Sequence, residues 1–173
     1  KDLLKERNDG LKAATPLGTA SRYYDLSTAG GTVTRSTANS YVISAPGYYR
    51  IPLVYGNAIT GGATNSSAYI SSAPATIVGG ADVILHNFKD HNGNNITNPW
   101  IEKSNAANTN IDGAHIVWAD EANLIHLSST PIVHEGANND AYLQFEVKAS
   151  DIKSGNAVVA VTKGNTVVWS WHL

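Results

Sequence analysis

The chain contains no cysteine and no methionine. Lack of Cys excludes a disulfide framework, a thiolate metal site and a Cys nucleophile together. With Lys1 first and no Met, the sequence reads as a processed or excised piece of a longer product, so any signal peptide lies outside it. Charge is also scarce. Asp, Glu, Lys and Arg make up 15% of the residues, against an average of about 25%. A net charge of -2 offers nothing to a phosphate backbone, so nucleic acid is not an expected partner. No run approaches the roughly 18 consecutive apolar residues of a membrane-spanning helix, so no transmembrane segment is expected. Hydrophobic content of 42% argues against disorder, and the composition lacks the Glu, Lys and Leu excess of a coiled coil.

Asn, Ser, Thr and Gly stand where the charge is missing, and their placement divides the chain. A length of 173 residues suits one domain, or one domain plus an arm. Such a chain buries roughly 70% of its unfolded surface without a metal or disulfide. Lys1 to Lys12 concentrates charge, and the stretch up to Asn39 is rich in Thr, Ser, Ala and Gly with a Gly30-Gly31 break. Residues 1–39 are therefore predicted to be a linker or N-terminal arm, with Leu3, Leu4 and Leu11 suiting a helical turn or an edge strand.

Residues 40–173 carry strand and turn signals. Ser40 to Ala45 and Tyr48 to Tyr55 flank the turn pair Pro46-Gly47. Pro52 cannot donate to a ladder and places the second run at an edge or bends it. Gly56 to Ala75 reads as a loop, and Thr76 to Leu85 as a strand interrupted at Gly79-Gly80 by a bulge. A long polar segment, His86 to Asn110, follows. Ala114 to Trp118 and Asn123 to Leu127 are short strands around the turn at Asp120-Glu121. Ala141 to Val147 alternates, with Leu143, Phe145 and Val147 on one face and Tyr142, Gln144 and Glu146 on the other. Ala157 to Val161 is apolar on both faces, as a central strand should be. Lys163-Gly164-Asn165 is hairpin chemistry. Thr166 to Leu173 is predicted to send Val167, Trp169, Trp171 and Leu173 to one side, a stripe that suits core rather than a ligand site. Short strands at this spacing predict an all-β fold, an immunoglobulin-like β-sandwich with an irregular N-terminal arm.

Catalytic constellations are weak. No nucleophile elbow, phosphate-binding loop or dinucleotide fingerprint occurs. His134-Glu135 begins like a zinc-protease helix, but Asn138 stands where the second His is required. Asp90 to Asn95 alternates oxygen side chains as calcium loops do, yet its glycine comes too early and Ile101 occupies the bidentate position. His86 and His91 with Asp90 make a weak metal clamp, and no metal or cofactor is expected. The carboxylate pairs Asp112 with Asp120 and Glu135 with Asp140 lie in turns and define no glycosidase geometry. Asn65-Ser66-Ser67 and Asn95-Ile96-Thr97 match the glycosylation acceptor, as chance allows in so much Asn, Ser and Thr. Carbohydrate binding is the more specific reading. Trp100 follows Asn98-Pro99 in an Asn-rich loop, so an aromatic platform with Asn98, Asn94 and His91 around it forms the candidate ligand-binding set. The same Trp also suits a second role, folding back to cap the core.

Several blocks recur in one family: Thr37-Ala38-Asn39-Ser40-Tyr41 running to Ala45-Pro46-Gly47-Tyr48-Tyr49, Pro52 to Ile59 with Gly62-Ala63-Thr64-Asn65, and Gly155 to Val161 leading to Trp169-Ser170-Trp171-His172. Phe88 to Ile101, with His91, Gly93, Pro99 and Trp100, joins them. Together they resemble the C-terminal β-sandwich module of Bacteroides-type surface and fimbrial-tip proteins, the fimbrillin-associated and adhesin-like group. The resemblance covers about residues 10 to 173. It implies an extracellular or outer-surface location, tandem β-domains or fimbrial subunits as partners, and no catalytic residues to carry over. Many members have Cys where Ser40 stands here. The expected function is a non-catalytic structural or adhesive module of a larger secreted multidomain protein, and the alternative is a carbohydrate-binding module, with host or dietary glycan as partner, using Trp100.

Overall fold

Strand-period alternation is clearest in the stretch Asp140–Val147, which buries Leu143, Phe145 and Val147 and turns Gln144 and Glu146 outward. The structure, a computed structural model, describes residues 3–65, 70–77, 80–87, 92, 96–104, 111–136, 138–163 and 166–173. In chain order come α1 (Leu3–Ala13), β1 (Tyr24–Asp25), β2 (Gly47–Pro52), β3 (Ile59–Thr60), β4 (Ala63–Thr64), β5 (Ile70–Ile77) and β6 (Gly80–Asn87). There follow α2 (Ile101–Ser104), β7 (Gly113–Ala119), β8 (His126–Glu135), β9 (Asp140–Val147), β10 (Ala157–Lys163) and β11 (Thr166–His172). The fold is all-β. Among the described residues no helix is long and apolar enough to cross a membrane.

One sheet has four strands in the order β1-β2-β9-β8, and another has three in the order β11-β10-β7. Two hairpins, β3-β4 and β5-β6, complete the ladders among the described residues. Apolar side chains from the two larger sheets belong to one buried cluster: Tyr49, Ile51, Leu143 and Phe145 from the first, Val159, Val161 and Trp171 from the second. Tyr49 stacks on Phe145 with ring centroids 5.8 Å apart. Truncating Phe145 to Ala would cost roughly 3–5 kcal/mol, because the site is fully enclosed.

Several expected elements differ from what forms. Residues 1–39 include β1, which runs parallel to β2 with Tyr24 opposite Tyr49 and Asp25 opposite Arg50. Ser40 to Ala45 forms no strand; only Ser40 bridges β11, opposite His172, before Pro46 ends the extended run. β2 is internal, between β1 and β9; Pro52 is its last residue, opposite Tyr142, and the Leu53 N–H still donates to the Ala141 carbonyl at 3.0 Å. The segment read as one strand with a bulge at Gly79-Gly80 belongs to two: β5 pairs antiparallel with β6 and Ile77 lies opposite Gly80, while Gly79 lies outside the described residues. The expected loop Gly56 to Ala75 holds β3, β4 and the start of β5. In β11 the register with β10 shifts between the pairs Val161↔Trp169 and Thr162↔Val167. The extra residue is Val168, which turns inward and is buried, while Val167 is left exposed. Trp171 stays in the core, and Trp169 meets Tyr55 edge-on at 4.8 Å.

The N-terminal segment is fastened to the sheet at Gly47, whose φ of 153° sets its backbone against Leu17. Leu17 donates to the Pro46 carbonyl at 2.9 Å and accepts from Tyr48 at 2.9 Å. A Cβ on Gly47 would lie 1.8 Å from the Leu17 oxygen. Gly47→Ala is therefore expected to lower the urea midpoint by more than about 1 kcal/mol in stability and to expose residues 14–24 to protease; unchanged cleavage there would contradict this docking.

Two phenols report on the packing of the same region. Tyr49 Oη donates to the Ala45 carbonyl at 2.6 Å, and Tyr41 Oη accepts the Ala38 N–H at 3.1 Å. Burial pushes both pKa values up to about 12, from an ordinary value of 10.0. The folded state thus favours the protonated phenols, and the stability they contribute is complete below about pH 10 and lost as pH rises through about 12. The urea midpoint should fall across that window together with the growth of tyrosinate absorbance, and a flat midpoint would show that these rings are not the alkaline weak point.

Candidate functional site

The outer face of the four-stranded sheet gathers most of the polar chemistry. Inward Tyr49 and Ile51 leave Tyr48 and Arg50 outward on β2, and inward Leu143 and Phe145 leave Tyr142, Gln144 and Glu146 outward on β9. The antiparallel register sets Tyr48 across from Glu146 and Arg50 across from Gln144. On β8, His126 stands opposite Glu146, and the ladder breaks register between Leu127 and Ile132 before ending at Glu135.

A wall rises beside this floor. The chain turns at the Thr19↔Arg22 bridge, enters β1, and then curls through Ala29, Gly30 and Gly31, all at positive φ. Asp25 holds that wall in place. The residue is 4% exposed, and its Oδ1 accepts the Ser27 N–H at 2.9 Å and the Ser27 hydroxyl at 2.6 Å. Its Oδ2 accepts from Arg35 Nη2 at 2.9 Å and lies 3.5 Å from Arg50 Nε, which has no hydrogen-bond partner. Arg35 Nε also donates to Ser27 Oγ at 3.1 Å. Arg50 then bridges wall and floor: its Nη1 pairs with Glu135, and its guanidinium lies 4.1 Å from the centre of the Tyr142 ring. Burial alone would push the Arg35 guanidinium down, but Tyr142 and Asp25 outweigh it and hold it above its ordinary value. Burial raises the Tyr142 phenol, and Glu146 raises Tyr48.

Between wall and floor lies a cleft of about 530 Å³ lined by Arg22, Tyr23, Asp25, Arg50, Glu135 and Gln144, with others. Past Tyr23 a second hollow of about 250 Å³ is lined by Tyr48, His126, Glu146 and Lys148, among others. Tyr23 borders both and meets Tyr48 edge-on at 5.5 Å.

The residues expected from sequence fall at one end of this face. Asn98 Oδ1 accepts the backbone N–H of Trp100 at 3.0 Å, a side-chain turn that leads into α2. Trp100 bridges Val54, and its half-buried ring meets Tyr142 edge-on at 5.9 Å. Arg35 and Lys103 lie over that ring at 5.6 and 5.1 Å. Asn94 and His91 lie outside the described residues, as does Asp90 of the calcium-like loop. The structure thus brings Trp100 and Asn98 together, with Tyr142, Arg35 and Lys103 around the Trp100 ring. His134 sits on a strand and contacts Glu102 at 2.7 Å. The paired carboxylates of the sequence are engaged elsewhere: Glu135 with Arg50, Asp140 with Lys103, and Asp120 with the Asn156 backbone at 2.9 Å. Asp112 and Asp120 stand beyond opposite ends of β7. No group of three His, Cys, Asp or Glu able to hold a metal occurs among the described residues.

Sequence reasoning missed Asp25, Tyr23, Arg50 and the cleft they border. The outward set Tyr142, Gln144 and Glu146 was visible as alternation, but no face was legible for Tyr48 and Arg50, and nothing local aligned the two strands or brought residues 20–31 beside them. Comparison of the chain with protein-family models, with curated proteins and with solved structures finds no match.

Removing the central carboxylate tests the arrangement. Asp25→Ala strands two guanidiniums that are about a fifth exposed, and is expected to cost roughly 2–4 kcal/mol by urea unfolding, below the loss for a fully buried pair. The variant should also become cleavable between residues 19 and 36; a loss under about 1 kcal/mol without new cleavage would show that the wall is held by something else.

Proposed function

We propose that this chain is a non-catalytic module of a larger secreted protein, carried extracellularly or on the outer cell surface, where it serves a structural or adhesive role. The reading includes an immunoglobulin-like β-sandwich. It is supported by the buried core shared between the four-stranded and three-stranded sheets, and by the path of the chain, which passes between them at β7 to β8 and again at β9 to β10. The resemblance of the Thr37 to Tyr49, Pro52 to Asn65 and Gly155 to His172 blocks to Bacteroides-type surface and fimbrial-tip modules supports the location and the neighbouring β-domains or fimbrial subunits as partners.

The observation that carries the reading is how the charged groups of the outer face are used. Asp25 engages Ser27 and Arg35 and faces Arg50; Glu135 engages Arg50, Asp140 engages Lys103, and Glu102 accepts from the Ile111 N–H and contacts His134. These contacts stiffen one broad surface, which is what an adhesive or load-carrying module requires. Carbohydrate binding is the second reading. The walled polar cleft favours it more than Trp100 does, since two cations and Tyr142 already surround that ring.

Deleting residues 40–173 from the encoding gene is expected to reduce attachment of the cells or assembly of the surface structure. Adhesion counts and electron microscopy of the cell surface provide the measurement, and a deletion strain equal to its parent in both would rule the proposal out.

A further inference from the structure

We infer that the cleft over the outer face of the four-stranded sheet is a binding site for a neutral oligosaccharide, laid from Gln144 and Arg50 across Tyr23 toward Tyr48. The inference rests on the carbohydrate reading above and places the site away from Trp100.

Shape is the first argument. Outward residues two apart on a strand are separated by roughly 7 Å, so the hollow at Arg50 and Gln144 adjoins the hollow at Tyr48 and Glu146. The larger measures about 530 Å³ and the smaller about 250 Å³. Together they fall within the roughly 300–1,000 Å³ of small-ligand sites, but they are strung along the sheet rather than rounded. That outline suits a short chain of linked rings.

Charge is the second. Arg22, Arg50 and Lys148 border the two hollows, and so do Asp25, Glu135 and Glu146. The opposite signs balance, so the site has no net field to draw an anion or a cation. His126 is paired with Asp151 at 2.9 Å.

Hydrogen-bonding chemistry is the third. Among the described residues the Gln144 amide and the Arg22 guanidinium have no hydrogen-bond partner, although both border the cleft. Each is a planar group that presents more than one hydrogen-bonding atom, and adjacent sugar hydroxyls offer the matching pair. Tyr23 stands between the hollows with its ring fixed edge-on by Tyr48 at 5.5 Å, a surface against which the C–H face of a pyranose can pack. Arg50, held by Glu135 and Tyr142, keeps the floor rigid, so little side-chain ordering remains to be lost on binding.

The test uses the whole 173-residue chain against neutral tetrasaccharides of glucose, galactose, mannose, xylose and N-acetylglucosamine on an array, followed by calorimetry with the best of them. Binding is expected to at least one neutral series. Tyr23→Ala and Gln144→Ala should each weaken it about tenfold or more, Trp100→Phe should leave it within about twofold, and affinity should barely change between about 0.05 and 0.5 M salt. Thermal melts accompany every variant. Gln144→Ala removes only an outward, half-buried amide, so it decides the matter if Tyr23→Ala fails to fold. Binding that survives both cleft variants and is lost in Trp100→Phe overturns the placement while leaving the carbohydrate reading intact. Binding confined to sialylated or sulfated glycans, with steep salt dependence, overturns the ligand class. No binding to any glycan overturns both this inference and the carbohydrate reading, and leaves the adhesive role to protein partners.

Discussion

Because Asp25 is almost wholly removed from water, it must be paired to be tolerated, and every partner it takes belongs to a different part of the chain. Ser27 lies just beyond it, Arg35 returns from eight residues further on, and Arg50 comes from the floor of the sheet. The β1–β2 ladder alone spans only two residue pairs. At about 1 kcal/mol net for each hydrogen bond, such a ladder would hold the N-terminal segment weakly. The carboxylate converts that short contact into a clamp, and the clamp turns a Thr- and Gly-rich segment into the wall of a cleft.

Arg50 passes the constraint onward. It faces Asp25, pairs with Glu135 at the end of β8 and lies over Tyr142, whose ring in turn meets Trp100. Lys103 and Asp140 close the far end. The loop carrying Trp100, the hairpin between β8 and β9 and the N-terminal wall are thereby referred to one sheet face. Its inner side is equally fixed, since Tyr49, Ile51, Leu143 and Phe145 are locked into the common core. A surface backed by such a core moves little when a partner arrives, and the ordering cost of binding falls accordingly. That rigidity is the property shared by the adhesive and carbohydrate readings.

Much of the strand content could be read from the residues. Ala141 to Val147 announced its two faces through strict alternation, and Ala157 to Val161 announced a central strand by being apolar throughout. Where local signals had two meanings, they misled. Gly79-Gly80 fits a bulge and a strand boundary equally well, and only the pairing of β5 with β6 selects the boundary. The stripe Val167, Trp169, Trp171 obeys period two, but the register shift against β10 admits Val168 to the core and turns Val167 out. A bulge depends on the partner strand, so the strand's own sequence does not contain it.

The candidate site divides along the same line. Composition and alternation by themselves determined an all-β chain with weak charge, an outward polar set on the Tyr142 strand and an aromatic in the Asn98-Pro99-Trp100 turn. Only the tertiary structure decided that Arg50 would face Asp25 across a parallel pairing, that Gln144 would sit beside Arg50, and that Tyr23 would stand over them. Alternation is a local property, set by the pleat of one strand. Which strands become neighbours, and which loop covers them, is decided by long-range burial and by the need of a buried carboxylate for cations, and these act between residues distant in sequence.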